Sequence, residues 1–511
     1  MIVIQANREK IMKETVNGSA ERGAIIKLKL NKLNVPARSS LFFTLTNLFC
    51  KGAAFLFTPI FTRLLSRTEY GEFSVFSTML SLSIVAATME ISGGVIMRLY
   101  QKEKSKRFLS LLSAWGISVV LAIPITLALL FIKRSGGFGT SFPLSYLFLF
   151  LSIVSVSLIN LYVSKCRFSY KWIPPLVTSL MHSVAAPIIS ILLIGIKALG
   201  SVNHVSLKIG AVSSVLTLCA VVILAVCIKC AIREARDEGL TLKQGVKYLK
   251  ESSFFLLKLS SPLLPYYLSV MLISQADKLF ISSMLGKGEL AKYSVAYSAG
   301  VALSAITGGV TGALSPWLMR RAREGDYERV RRTLDLMIRA SIPAIITFLC
   351  FAPDIFAFLA PKEYQSALPV LFISTFIPIP LALATCSSSI AIARERVGGV
   401  LISGIFPAAL TLTLDIFLIK RAPLYIAALI TVVGFIFLSS LGIANTRRIT
   451  QNYIINVNKA FQNLLFLAMV ASGIYLLRDV LYARIIVATL SSLSLFHLSK
   501  PLLSMVRERD S

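Results

Sequence analysis

Two ionisable residues lie deep inside apolar stretches of this sequence. Lys51 falls about eleven residues into the run 40–64, and Glu90 falls about seven residues before the end of the run 72–97. At 1.5 Å per helical residue, the two residues lie roughly 16 and 11 Å deep, which permits an ion pair. A charge at the centre of a bilayer costs about 2.5–3.5 kcal/mol, so it usually faces a cavity or a partner.

The chemistry that this pair suggests is the binding of an anionic group. Lysine is a compact point charge that suits a phosphate. Asn47 lies one turn before Lys51 on the same helical face, and Glu90 would tune or gate the lysine. The alternative is a structural Lys–Glu pair that fixes helix packing.

A second charged pair occurs in the apolar run 255–284. Asp277 and Lys278 are adjacent and therefore face different partners on a helix. We expect Lys278 to line a cavity and Asp277 to be a proton or sodium site, with interhelical hydrogen bonding as the alternative. Arg98 and Arg320 occur at corresponding inner span ends, where an anionic head group would enter. For these arginines the alternative is ordinary anchoring at the cytoplasmic surface.

Several other chemistries are excluded or disfavoured. Gly286, Gly288 and Ala291 form a GxGxxA pattern, but no strand precedes it, so it is not a nucleotide motif. Three histidines are too few for a histidine-based metal site or catalytic triad. We therefore expect no catalytic residues, metal or cofactor. Asp354 and Asp415 occur near outer span ends, where they are expected to reach interfacial water.

The composition identifies the class of protein. Of 511 residues, 56% are hydrophobic and only 15% charged, against about 25% charged in soluble domains. Mean hydropathy is +0.76 and net charge +29. This excludes a set of soluble domains and a disordered chain. The apolar content also indicates that the basic excess meets membrane lipid rather than nucleic acid.

The sequence predicts an all-α integral membrane protein with fourteen spans. Inner segments hold 38 Lys/Arg and outer loops twelve, Lys208 among the latter, so both termini are expected to be cytoplasmic. The expected organisation is a basic tail (1–38), a first lobe of six spans (39–229), an amphipathic linker (230–254), a second lobe (255–445) and two further spans with a short tail (446–511). The predicted spans are 40–64, 72–97, 108–132, 143–164, 174–196, 207–229, 255–284, 290–318, 336–360, 365–393, 398–419, 423–445, 460–477 and 481–499.

An internal repeat supports the two lobes. Residues 64–75 (LLSRTEYGEFSV) align with 284–295 (MLGKGELAKYSV) at an offset of 220. Arg67 then pairs with Lys287. Since the offset covers six spans, both copies have the same orientation, and a parallel repeat places a transport site between the halves.

The segment Phe61–Val75 (FTRLLSRTEYGEFSV) resembles the region after the first span in polysaccharide flippases of the MOP superfamily, which also holds MATE antiporters and lipid II flippases. Asp277–Lys278 and the run Leu285–Ser298 resemble the second half of that family. The resemblance implies a V-shaped bundle with two appended helices. It also implies export of an undecaprenyl-pyrophosphate-linked oligosaccharide. Lys51 would then bind the pyrophosphate, with the structural Lys–Glu pair as the alternative.

The partners implied by this resemblance are the polyprenyl-linked substrate, membrane lipid, a polysaccharide polymerase and chain-length proteins. Two other functions remain as alternatives. A MATE-like antiporter of organic cations is disfavoured because the residues inside the spans include basic ones. A glycan polymerase is disfavoured because the predicted outer loops are short.

Overall fold

A computed structural model describes residues 35–93, 95–103, 105–169, 171–196, 203–394, 398–454 and 457–507. Within these ranges the chain is helical and contains no strand. In the described part of the chain, ten helices are long and apolar enough to cross a membrane, or eleven if the bent pair Lys243–Ser260 and Leu264–Met284 is one span. The protein is therefore a multi-pass membrane protein. A helical segment occurs in each of the fourteen predicted stretches, while the count of fourteen spans stays a prediction.

The helices of the first half begin and end at recognisable signals. Ser66 caps α2 in a capping box, in which its hydroxyl accepts from the Glu69 amide and Glu69 accepts from the Ser66 amide. The bounds are α1 Val35–Leu64, α2 Arg67–Thr88, α3 Val95–Lys102, α4 Arg107–Arg134, α5 Ser145–Phe168, α6 Ile173–Leu180, α7 Ala186–Gly195, α8 His204–Asp237 and α9 Leu242–Ser260, with a 3-10 turn at Ile91–Gly93 and a π-helical turn at Met181–Ala185.

Helices of the second half also begin at recognisable signals. Gly286 precedes α11 with φ +93°, a conformation that favours glycine. The bounds are α10 Leu264–Met284, α11 Lys287–Val301, α12 Ser304–Glu324, α13 Tyr327–Leu359, a 3-10 turn Lys362–Ala367, α14 Leu368–Ser374, α15 Pro378–Ala393, α16 Gly398–Leu418, α17 Tyr425–Thr450, α18 Val457–Leu476 and α19 Leu481–Arg507.

The second predicted span is broken. Met89 and Glu90 both have positive φ, 47° and 51°, and separate α2 from the 3-10 turn and α3. Gly93 and Gly94 follow Glu90 in the sequence and predict a kink in this span, but the break begins at Met89, at two residues with side chains. Such a conformation costs a residue other than glycine about 1–2 kcal/mol, so tertiary packing must hold it.

The core and the membrane-facing surface separate along the helices. Leu290, Tyr293 and Ala296 on α11 are fully buried, whereas Leu127 and Phe131 on α4 are exposed apolar residues, as expected beside lipid. Helix α11 therefore lies at the centre of the bundle.

The last helix, α19, is attached to α13 by an ion pair in which Arg484 Nη1 lies 2.6 Å from Asp354 Oδ2.

Candidate functional site

The structure places three of the predicted site residues only by their backbone. Asn47 and Lys51 lie in α1, and Arg98 lies in α3. Their side chains are outside the described part of the chain. The proposed ion pair between Lys51 and Glu90 therefore remains a prediction.

Glu90 lies at the break in the second span. Its side chain is half-buried, and it lies within electrostatic range of Tyr267 of α10, in the other half of the chain. Glu90 thus lies near a helix of the second half, and its role as a cavity residue stays a prediction.

Asp277 forms the centre of a buried polar cluster. Its Oδ2 accepts hydrogen bonds from the Tyr293 hydroxyl of α11 and, at 3.1 Å, from Thr431 Oγ1 of α17. Its Oδ1 accepts from the Lys278 amide at 2.7 Å. Asp415 of α16 lies within electrostatic range of Asp277. We call Asp277, Tyr293, Asp415 and Thr431 the acidic cluster.

Asp415 corrects an expectation from the sequence. It was expected to reach interfacial water, but it is only 3% exposed. Among the described residues, its Oδ1 has no hydrogen-bond partner. A buried carboxylate oxygen without a partner is costly unless the group is protonated or binds a cation.

Close packing holds the helices of the acidic cluster together. A Cβ at Gly434 of α17 would lie 2.3 Å from Thr411 Cγ2 and 3.0 Å from Ile273 Cγ2. Thr411 and Ile273 lie one turn from Asp415 and Asp277, respectively. Glycine therefore allows α10, α16 and α17 to meet beside the two carboxylates.

Lys278 faces away from the acidic cluster. Its Nζ donates to Gln275 Oε1 at 2.8 Å and lies 4.7 Å from the centre of the Tyr297 ring. The adjacent aspartate and lysine thus address different partners, as their helical positions predicted. The hydrogen bonds to Asp277 from α11 and α17 also match the structural alternative of interhelical hydrogen bonding.

Arg320 is exposed at the end of α12. Its Nε donates to Glu324 Oε1 at 3.0 Å, within the same helix. This hydrogen bond holds the pKa of Glu324 below its usual value. The described contacts of Arg320 are therefore those of a surface ion pair.

At the predicted outer end, two ion pairs join the halves. Arg67 Nε at the start of α2 lies 3.0 Å from Glu363 Oε2. Lys287 Nζ at the start of α11 lies 3.4 Å from Glu72 Oε2 and also donates to Ser141 Oγ. We call these two ion pairs the outer clasps.

Backbone packing closes the same end more firmly. A Cβ at Gly71 would lie 1.8 Å from the Lys287 carbonyl oxygen, so α2 and α11 touch. Thr62 Oγ1 donates to the Leu359 carbonyl at 2.7 Å. Arg63 donates to the Phe358 carbonyl at 3.1 Å. The first two spans are thus fastened to the second half at the predicted outer side.

One buried lysine was not among the predicted site residues. Lys208, counted as an outer-loop residue, is 4% exposed inside the first turns of α8. Its Nζ lies 3.7 Å from the ring centres of Phe61 and Phe73 and 5.1 Å from that of Tyr70. Aromatic faces stabilise such a cation. Tyr70 and Phe73 of this aromatic cage lie on α2, the helix that also carries Arg67 and Glu72 of the outer clasps. Aromatic residues at 61, 70 and 73 were its only signal in the sequence.

The acidic cluster suits a proton or a small monovalent cation. It offers two carboxylates and two hydroxyl groups. No group of three or more His, Cys, Asp or Glu that could hold a metal occurs within the described ranges.

A family model described as "Polysaccharide biosynthesis protein" matches residues 37–322, more than half of the chain. The chain belongs to the polysaccharide biosynthesis protein family. The match includes the segment Phe61–Val75 and Asp277–Lys278, so it confirms the resemblance drawn from those residues. A search of curated proteins gives no significant match.

Solved structures of the MOP superfamily share the fold. The lipid II flippase MurJ in an inward closed conformation has TM-score 0.62 at 16% identity, covering 91% of this chain and 99% of that chain. An outward-facing MATE multidrug transporter has TM-score 0.56 at 15% identity, covering 83% and 98%. A Pyrococcus furiosus MOP transporter with a binding pocket of reverse polarity has TM-score 0.52 at 14% identity, covering 83% and 97%. Identities this low establish the fold alone.

Proposed function

We propose that this family member is a flippase. It moves an undecaprenyl-pyrophosphate-linked oligosaccharide repeat unit across the cytoplasmic membrane for the synthesis of a cell-surface polysaccharide. The observation that carries the proposal is the family match over residues 37–322. The MurJ-like and MATE-like fold supports a transport role.

The proposed orientation has fourteen spans, two six-helix lobes and both termini in the cytoplasm. The excess of Lys and Arg in alternate loops supports it. Reporter fusions after Arg63, Arg134 and Arg421 should read outside. Fusions after Lys104, Arg236 and Arg447 should read inside, and an opposite reading at any of these sites contradicts the orientation.

The proposed mechanism is alternating access between the lobes. The outer clasps and the Gly71 contact support it, because they hold the predicted outer end shut. Export then requires these contacts to break while the inner ends close. Oxidised cysteine pairs beside Arg98 and Arg320 should lock the inner side and stop export reversibly; unchanged export with a complete crosslink contradicts rocking.

The proposed path keeps the prenyl tail in lipid while the sugar head crosses between the lobes. This avoids burying polar sugar in hydrocarbon. Lys51 is proposed to meet the pyrophosphate, with Asn47, Glu90, Arg98, Lys278 and Arg320 along the polar path.

The acidic cluster is the proposed coupling site for a proton or sodium ion. Two buried carboxylates from different helices support this, because Asp415 Oδ1 lacks a described partner. One positive charge placed between Asp277 and Asp415 would relieve their repulsion.

A MATE-like antiporter of organic cations is the second candidate. The buried acids Asp277 and Asp415 favour it, since carboxylates can bind cationic substrates, and MATE structures share the fold. Its substrate would be positively charged, whereas a flippase substrate carries a pyrophosphate.

Proteoliposomes distinguish the two functions. Vesicles holding the purified chain receive a fluorescent undecaprenyl-pyrophosphate oligosaccharide in one leaflet, and an impermeant lectin reports the sugar in the other. Flippase activity should move the sugar, whereas uptake of ethidium without sugar movement supports the antiporter. If neither the sugar nor ethidium moves under a sodium or proton gradient, both proposals are contradicted.

A further inference from the structure

A large basic cavity lies at the predicted cytoplasmic end of α17, away from the outer clasps and the acidic cluster. Its volume is about 940 Å³, within the range of ligand pockets. Helices α13, α17 and α18 and the turn after α17 line it. The polar side chains that could bind a ligand are Arg331, Arg447, Arg448, Gln451 and Asn458.

The arginines of this cavity differ from their neighbours on α13. Arg329 and Arg332 pair with Asp326 and Glu328 at 3.4 and 3.0 Å. In the part of the chain that the structure describes, no carboxylate lies within 4.0 Å of Arg331, Arg447 or Arg448, and no acidic residue lines the cavity.

Helix ends explain only part of this arrangement. Arg447 and Arg448 lie at the end of α17, where a cation complements the helix dipole. Arg331 lies near the beginning of α13, where the dipole gives no such benefit. The guanidinium of Arg447 is already held 3.7 Å from the Tyr453 ring centre. Three cations without acids therefore converge on one open space.

An apolar groove of about 700 Å³ runs along α17 and α18, with residues 369–376 as its further wall. The basic cavity uses α17 from Ser440 onward and Asn458 of α18. The groove uses α17 back to Tyr425 and α18 from Phe461 to Leu476. The groove is thus apolar where the helices pass through the predicted membrane interior, and the cavity is basic where they leave it.

We propose that the basic cavity and the groove together bind an anionic phospholipid of the cytoplasmic leaflet. The phosphate lies among Arg331, Arg447 and Arg448, and an acyl chain follows the groove between α17 and α18. Basic pockets between spanning helices on the cytoplasmic side bind anionic head groups in this way. A free phosphate ion shares the head-group chemistry but leaves the groove unused.

Binding to the purified full chain in detergent tests the proposal. Native mass spectrometry is run with phosphatidylglycerol, phosphatidylcholine or inorganic phosphate. The double variant Arg331→Gln/Arg448→Gln should weaken phosphatidylglycerol binding about twenty-fivefold, from about fivefold per charge. Arg329→Gln/Arg332→Gln removes the same charge from the same region and should change it by less than about twofold, as exposed ion-paired residues contribute little.

A second variant tests the groove without changing charge. Ala468→Trp fills the groove and should weaken phosphatidylglycerol while sparing inorganic phosphate. Equal losses in the two arginine pairs overturn the proposal in favour of diffuse attraction. Inorganic phosphate that binds as tightly as phosphatidylglycerol overturns the lipid source. Displacement of phosphatidylglycerol by the lipid-linked oligosaccharide assigns the cavity to the substrate and also overturns it.

Discussion

Arg67 and Lys287 occupy the first position of two equivalent helices, and each forms an ion pair with a glutamate of the opposite half. Arg67 reaches the turn after α13, and Lys287 also reaches Ser141 in the segment after α4. These segments occupy corresponding places in the two repeats. The predicted outer end is therefore closed by a pair of related contacts, one supplied by each half.

Reversing the charge of one clasp should open the outer end. In Glu72→Lys, the new lysine repels Lys287. Labelling of a cysteine introduced between the lobes, by a thiol reagent added from outside, should increase about fivefold, since a partly exposed pair contributes up to ~1 kcal/mol. Adding Lys287→Glu should restore closure in part, because the Ser141 amide still lacks its Glu72 acceptor. Equal labelling of the wild type and the Glu72→Lys variant would show that this ion pair does not hold the gate.

A larger side chain at Gly71 should act as a wedge. Gly71→Leu collides with the Lys287 carbonyl and should destabilise the outer-closed state by about 1–3 kcal/mol, the cost of overpacking. Sugar translocation in vesicles should fall while the protein still folds. Gly288→Ala is the control, because a Cβ there meets nothing within 4 Å. If Gly71→Leu translocates sugar normally, close contact between α2 and α11 is not a required state of the transport cycle.

Removing one charge from the acidic cluster should abolish ion dependence. If sodium is the coupling ion, the wild-type melting temperature should rise in sodium over choline, by the equivalent of about 2.7 kcal/mol at one hundred times Kd. Asp277→Asn and Asp415→Asn should lose this rise, while the exposed control Asp479→Asn keeps it. If the melting temperature depends instead on proton concentration, the acidic cluster binds protons. If both variants keep the dependence on sodium or on protons, the acidic cluster is not the coupling site.

The aromatic cage should tolerate loss of its cation. Lys208→Met keeps the length of the side chain and removes the cost of burying a charge, which exceeds the ~2 kcal/mol that a desolvated cation–π contact returns. We expect an unchanged or higher melting temperature in detergent. Lys208→Glu should lower it sharply. A large loss in the methionine variant would mean that the positive charge itself is required.

Lys51→Ala should abolish surface polysaccharide while the protein still inserts and accumulates. Lys51→Arg should retain partial export, because charge matters more than shape for a phosphate. The exposed lysine Lys243 provides the control, and Lys243→Ala should export normally. Wild-type export by Lys51→Ala would show that the cationic site lies elsewhere.

The sequence predicted the helix positions because they depend on local patterns, while the two-lobe repeat stays a prediction. Arg67 and Lys287 indeed occupy equivalent helix starts. Asp415 was misjudged because distance along a span does not reveal which face meets other helices. Lys208 was assigned to a loop because the distribution of apolar residues along the sequence does not reveal an aromatic cage formed by two other helices.

The break at Met89–Glu90 escaped detection for a related reason. Neither residue is a glycine or a proline, so no local preference marks the site. Tertiary contacts impose this conformation, and only a three-dimensional structure displays them.

Helix α11 carries Lys287 at its first position and Tyr293 six residues later, a rise of about 9 Å. Tyr293 bonds to Asp277, and Lys287 bonds to Glu72. A short helix of this kind behaves as a stiff rod, so a displacement at the tyrosine is transmitted to the lysine. If an ion binds at Asp277, its binding would therefore be coupled to the Lys287–Glu72 ion pair at the predicted outer end through about two turns of α11.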